Sequence, residues 1–217
     1  GDTPRAVLHG ELHDQGGTVH LLASRPDAGE DAFALLNQFD RLFQSRAGRQ
    51  WRGPFWGSAV FYGGYVLGNE PYIPSWDTPG TCAFVRAGCR MEIRGVLLVR
   101  PLQDEIPQEP VPAGYEIVPA ARGPEYDAQP FGYHALFQGQ KAAHCYARFY
   151  PHLTAPGGGP VGQVGNVTTE ANHRGRGLAR IMVKRCLRDL RAMGAAEALI
   201  ATSLDNFPAL KAYENAG

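Results

Sequence analysis

An α/β fold made of two tandem copies of one unit, each a mixed β-sheet flanked by helices, is predicted by three features. Residues 161–217 run strand, glycine-rich turn, amphipathic helix, strand, helix, which is an α/β order. A pattern of proline, three residues, alanine, aromatic, two residues, alanine and glycine occurs from Pro79 to Gly88 and again from Pro208 to Gly217. Between the copies, residues 101–114 carry Pro101, Pro107, Pro110 and Pro112; proline removes donors and imposes extended backbone, so this stretch is neither helix nor central strand. The expected boundaries are a first unit at 1–102, a linker at 103–114 and a second unit at 115–217.

The first unit holds a strand-like run, Val19–Ser24, then an amphipathic helix from about Asp31 to Arg46 with Leu35, Leu36, Phe39, Leu42 and Phe43 on one face and Gly48 beyond its end. An aromatic and glycine-rich stretch follows, Trp51 to Trp76, whose Trp56, Phe61, Tyr62, Tyr65 and Tyr72 suit a pocket lining or simple packing. In the second unit Tyr115–Val118 is a short strand. Gly132–Gln138 and Lys141–Tyr150 form a strand pair around the turn-like Gly139-Gln140. Residues 155–160, with three glycines between two prolines, are a loop, and Val161–Thr169 is a buried strand. The clearest helix spans Gly177–Met193: Leu178, Ile181, Met182, Cys186, Leu190 and Met193 recur at steps of three and four, basic residues lie on the other faces, and Gly194 stops it. Ala198–Thr202 is a second buried strand. Asn206 caps a last helix with Pro208 in its first turn, ending near Glu214.

Composition narrows the function. With 217 residues, 44% hydrophobic and 19% charged, the chain can build real cores and is not disordered. Lys+Arg and Asp+Glu are both 21, so no overall field points to nucleic acid or a membrane surface. Cys82, Cys89, Cys145 and Cys186 fit no metal or redox spacing and suit free thiols in a reducing compartment. His9, His13 and His20 lack partner ligands, so no metal is expected. No apolar run is long enough for a membrane span and no signal peptide is evident, which leads to the cytoplasm.

The chemistry concentrates at His173-Arg174-Gly175-Arg176-Gly177-Leu178-Ala179, between a buried strand and a helix start. Unpaired N–H groups and the positive end of the helix dipole, glycines that admit close backbone approach, and two arginines make a phosphate site. A Walker loop would need Gly-Lys-Ser or Gly-Lys-Thr, and Arg180 stands where a dinucleotide fingerprint needs its third glycine.

Arg174, Gly177 and Ala179 resemble the pyrophosphate signature of the GNAT superfamily of N-acetyltransferases, and Asn206, Ala209, Tyr213 and Gly217 resemble its final helix. The likeness covers 115–217 and is strongest from 161 onward. It implies a GNAT-like acyl-CoA N-acyltransferase fold with acetyl-CoA as cosubstrate. Asn166, Val167, Thr168 and Thr169 would bind the pantetheine arm through the main chain. Arg174, Gly175, Arg176, Gly177, Leu178 and Ala179 would hold the pyrophosphate. Asn206 would touch the cofactor near its pantetheine, and Tyr213 would stand at the sulfur as acid. The resemblance also leads one to expect a phenylalanine and a last strand after Gly217, and longer first helices than residues 119–131 allow.

An amine needs to lose a proton to acylate, and the acyl oxygen needs a fixed donor, for which the Val167 N–H is placed. Glu170, directly after the strand, is the candidate base; His152 and Tyr150, in the preceding loop and able to face the acceptor, are alternatives beside a water relay. The first copy has lost these features. Its turn, Arg25 to Ala32, has one glycine and three acids, and Phe84 replaces the tyrosine. The expected activity is transfer of an acetyl or short acyl group to a primary amine, preferably of a small molecule held by residues 150–160 and the domain interface. A protein N-terminus or lysine is the other acceptor class. A non-catalytic CoA-binding module is the alternative.

Overall fold

The computed structural model describes residues 4–13, 16–44, 51–52, 78–89, 95–120, 131–155 and 157–217, which fall into two compact units. In the first, β1 (Ala6–His13) and β2 (Gly16–Ser24) form an antiparallel hairpin. Helix α1 (Gly29–Gln44) follows, then a two-residue strand β3 (Trp51–Arg52) parallel to β2, then α2 (Thr78–Arg86). Helix α1 buries Ala32, Leu36, Phe39 and Phe43, a single stripe at steps of four, three and four. Leu42, expected inward, falls off that stripe and is 49% exposed. Strand β1 carries no strand-like alternation in sequence, because Gly10, two histidines and Glu11 interrupt it. Gly10 has a packing reason: a methyl group there would run into the Phe39 ring on α1. Apart from Trp51 and Arg52, the aromatic stretch to Trp76 lies outside the described residues, as do residues 121–130.

The second unit is a six-stranded sheet in the order β4-β9-β8-β7-β6-β5. Its strands are β4 (Gly95–Pro101), β5 (Tyr115–Pro119), β6 (Phe131–Phe137), β7 (Gln140–Thr154), β8 (Pro160–Thr169) and β9 (Glu197–Ser203). Helix α3 (Leu178–Ala192) links β8 to β9, and α4 (Phe207–Glu214) follows β9. All neighbours are antiparallel except β8 and β9. The β6–β7 hairpin turns through Gln138 and Gly139, both left-handed with φ of 51° and 78°.

One face of the sheet packs on α3. Ala143, Cys145 and Ala147 of β7 and Val164 of β8 meet Leu178, Ile181, Met182, Cys186 and Leu190. Small residues on the strands let the helix approach closely, and burying each large aliphatic chain contributes roughly 1.5–3 kcal/mol. Gly162 takes this furthest: a methyl group there would sit 2.6 Å from Leu190. Val183 and Leu187 are also buried, so the apolar stripe is wider than its spacing suggested, while Met193, beyond the last helical residue, is 45% exposed.

The expected boundary needs correcting. Strand β4, assigned to the first unit, pairs along its whole length with β9 of the second, and the compact units divide between residues 93 and 94. Residues 102–114 are not a free linker either. Leu102 and Ile106 are buried in the second core. The basic face of α3 holds the rest: Arg180 and Lys184 pair with Glu109 at 2.8 and 2.5 Å, Arg191 donates to the Leu102 and Gln103 carbonyls, and Arg188 to Pro107. Proline composition signalled extended backbone, and the arginines of α3 supply the donors that extended carbonyls need.

The repeat is structural. Each unit runs antiparallel hairpin, helix, strand parallel to the hairpin's second member, helix. Gly88 and Gly217 both close their helices in the left-handed region, with φ of 84° and 106°. All four cysteines are free, with Cys145 and Cys186 touching in the core at 3.6 Å. Among the described residues no helix is long and apolar enough to cross a membrane, and no cluster of three metal-ligating side chains occurs.

Candidate functional site

The candidate phosphate site begins with what the N-terminus of α3 lacks. Gly177 is its N-cap, left-handed at φ 77°, with no side chain to accept from the first-turn N–H groups. No acid lies in that first turn. Gly175 is left-handed too, at 76°, a conformation that only glycine adopts without strain. The result is an uncapped ring of donors at the positive end of a fifteen-residue helix. The loop ahead is braced. Arg174 donates from Nε to the Thr169 carbonyl at 3.1 Å, His173 Nδ1 and the Tyr115 hydroxyl share a 2.7 Å hydrogen bond, and the Arg176 guanidinium lies 5.9 Å over the Tyr115 ring. Both arginines remain exposed.

The strand before that loop is deformed in two ways. Strands β8 and β9 pair only at Val161–Glu197, Gly162–Ala198 and Gln163–Leu199, and then part. From Val164 to Thr169 the β9-facing backbone groups of β8 are outside any ladder. On its other edge β8 carries a bulge. His144 faces Thr168 and Tyr146 faces Gly165, so Asn166 and Val167 together oppose Cys145. Asn166 is left-handed, at φ 49°.

A cavity of about 190 Å³ lies at the parting, lined by Leu98, Val164, Val183, Leu187, Ile200 and Tyr213 among others. Tyr213 is half-buried there on α4. Asn206 is the N-cap of α4: its Oδ1 accepts from the Ala209 N–H at 3.4 Å and its Nδ2 donates to Thr202 at 3.2 Å. Its side chain therefore anchors the helix that carries Tyr213.

The other sequence candidates separate. Tyr150 is buried in β7 and donates to Gln163 at 2.8 Å, a core pair rather than a loop residue facing an acceptor. His152 is exposed near the end of the same strand. Glu170 is exposed just past β8, its N–H bonded to the Ala142 carbonyl.

The structure also brings together residues that sequence reasoning passed over. His134 and His144 face each other across β6 and β7 on the sheet face away from α3. His134 Nε2 meets the Tyr146 hydroxyl at 3.0 Å and His144 Nε2 meets Asn166 Oδ1 at 3.4 Å. Burial pushes both imidazoles below their ordinary pKa, and Lys141 adds to this in each case. For His144 the Asn166 bond and the Glu170 charge pull the other way without cancelling it. The signal available in sequence was the alternation His144, Tyr146 beside His134, legible only once the strand register is known.

The family model described as the acetyltransferase (GNAT) family matches residues 97–217. A tandem GNAT protein from the clavulanic acid biosynthesis pathway, solved without acetyl-CoA, is 18% identical with a TM-score of 0.62; the match covers 93% of this chain and 71% of that one. A GCN5-related N-acetyltransferase from Sphaerobacter thermophilus is 14% identical at 0.59, covering 97% of this chain and 72% of that one. The GCN5-related glucosamine N-acetyltransferase region of a fungal multi-domain GH3 β-N-acetylglucosaminidase is 14% identical at 0.61, with 98% of this chain covering 30% of that one. No curated protein matches in sequence. At these identities the solved structures speak for the fold, and the tandem one spans both units.

Proposed function

The chain belongs to the acetyltransferase (GNAT) family, and from that premise we propose that its second unit transfers an acetyl or related short acyl group from acetyl-CoA to a primary amine. The observation that carries this reading is the uncapped, acid-free N-terminus of α3 beside the parting of β8 and β9. An anion cradle and a slot lined by apolar side chains, joined by unladdered backbone, match a ligand with a pyrophosphate at one end and a thin amide-bearing arm at the other. Acetyl-CoA supplies the activated acyl group as a thioester.

The proposed roles are these. The N–H groups from Gly175 to Ala179, with Arg174 and Arg176, hold the pyrophosphate. The backbone of Asn166–Thr169 holds the arm, and the Val167 N–H donates to the acyl oxygen as it gains charge. Tyr213, on the helix anchored by Asn206, gives its proton to the departing sulfur. A thiol's pKa of about 8.5 lies below the ~10 of tyrosine, so that donation aids departure without being obligatory. Glu170, exposed just past the end of β8, is the carboxylate that the sequence offers as base. Near-zero net charge favours a small-molecule amine over a basic protein tail, and the four free thiols suit a cytoplasmic setting.

Thermal melting with and without acetyl-CoA tests the reading, with an Arg174→Glu/Gly177→Glu variant alongside. At 100 times its dissociation constant a ligand adds about 2.7 kcal/mol, a rise of several degrees. The wild type should show the rise and the variant should not. No rise at millimolar acetyl-CoA overturns the reading. A rise without turnover across amino sugars, polyamines, amino acids and a free-N-terminus peptide would instead mark a CoA-binding module that does no chemistry.

A further inference from the structure

The family chemistry needs a base, and the sequence offered the exposed Glu170 and His152, a water relay, and Tyr150, which is buried against Gln163. The sheet face away from α3 offers a better-built one. Side chains of β7 alternate, so Cys145 and Ala147 enter the α3 core while His144 and Tyr146 point the other way. The bulge brings Asn166 onto His144, one residue from the Val167 N–H. The cavity that holds Tyr213 lies on the α3 side of the parting, with Val183 and Leu187 of α3 in its wall. An acyl group held between β8 and β9 would therefore have Tyr213 behind it and the His144 cluster on the opposite face. Resting on the acyltransferase reading above, we propose that His144 is the catalytic base, its Nε2–H fixed by Asn166 Oδ1 and its Nδ1 lone pair turned to the acceptor amine.

The step balances. The amine nitrogen's lone pair attacks the acyl carbon; the nitrogen–carbon bond forms and the carbon–sulfur bond breaks. The attacking nitrogen, acidified as it gains positive charge, passes its proton to His144 Nδ1. The sulfur leaves with the bonding pair and takes the Tyr213 proton. Solvent then returns a proton to Tyr213 and removes one from His144. An imidazole serves here because the nitrogen becomes acidic during attack, so a base far weaker than the free amine suffices. The groups facing His144 are His134 on β6, Tyr146 and Lys141 on β7, Asn166 on β8 and Glu170 just after it. Of the charged ones, Lys141 favours the neutral, proton-accepting ring and Glu170 opposes it.

Ring-carbon NMR of the wild type, with the His144 signal assigned by its loss in His144→Gln, should show His144 titrating below 6.5 and shifting when CoA is added. With the best acceptor from the amine panel, kcat/KM should rise with pH along a limb at the same midpoint. His144→Gln should lower kcat by about 100-fold or more and lose that limb while keeping the acetyl-CoA melting shift. Imidazole should restore part of the rate to His144→Ala. Glu170→Gln should keep the limb and move it to lower pH. Wild-type kcat with the limb intact in His144→Gln, or loss of the limb in Glu170→Gln, overturns the assignment and leaves the acyltransferase reading standing. If neither His144 variant folds, the signal is assigned through bonds from the backbone of the wild type, and a midpoint at or above 6.5, or no response to CoA, overturns it. No acetyl-CoA shift in the wild type overturns both.

Discussion

Helix α1 of the first unit and α3 of the second both follow the second strand of a hairpin, and their N-termini carry opposite chemistry. At α1, Glu30 and Asp31 occupy the first turn, with Asp27 just ahead. Arg86 grips Glu30 at 2.6 Å and holds its carboxyl below the ordinary range; Arg5 reaches Asp31 at 2.9 Å and Asp27 at 3.6 Å. The dipole there is met by carboxylates, and the carboxylates by arginines, so the terminus is an exposed staple between elements of its own unit. At α3 the first turn holds no acid, the cap has no side chain, and the flanking charges are Arg174 and Arg176. The second helices diverge in the same sense: Phe84 is buried where Tyr213 borders a cavity. One fold position thus makes the proposed ligand site or a structural clamp according to a few charges and one hydroxyl.

That contrast can be broken most strongly by importing the first unit's acids. Arg174→Glu/Gly177→Glu should abolish the acetyl-CoA melting shift, a loss of about 2.7 kcal/mol at 100 times the dissociation constant. Next comes a feature the units share, a strand glycine beneath the helix. Gly10→Ala and Gly162→Ala should each destabilise by roughly 1–3 kcal/mol in denaturant unfolding, because Phe39 and Leu190 must shift. Equal tolerance of both changes would show that helix and sheet are not in the contact described. Tyr213→Phe makes the second copy resemble the first at that position. It should lower kcat by about tenfold, ~1.4 kcal/mol of barrier, and leave the melting shift unchanged.

The smallest effect lies in the ion pairs. Lys184, then Arg180, hold Glu109 below its ordinary pKa. Its contribution is therefore present above the unfolded value of about 4.3 and is lost as pH falls through the folded one. Glu109→Gln should melt lower than wild type at pH 7, and the two should converge in acid. Glu30→Gln, on an exposed pair, should move the midpoint little at any pH.

Much of this was legible from residues. Helix α3, its glycine turn and the Asn206 cap announced themselves because 3.6-residue periodicity, glycine and capping chemistry are local. The repeat showed because Ala83-Phe84 and Ala212-Tyr213 keep one spacing. What stayed hidden depends on partners far along the chain. Strand β4 reads like any apolar run until β9 claims it. The prolines of 101–114 look like a linker until the arginines of α3 fill the carbonyls. The bulge at Asn166 and the meeting of His134 with His144 exist only in the register of three strands, which no local pattern encodes.

Strand β4 also sets a timetable. Its partner β9 lies about a hundred residues downstream, so at a synthesis rate of roughly 5–20 residues per second the apolar run Val96-Leu97-Leu98-Val99 waits about 5–20 s on the ribosome before it can be paired. The second sheet is thus closed last by a segment made early, and a ribosome that stalls within those hundred codons would leave that run in reach of a neighbouring nascent chain.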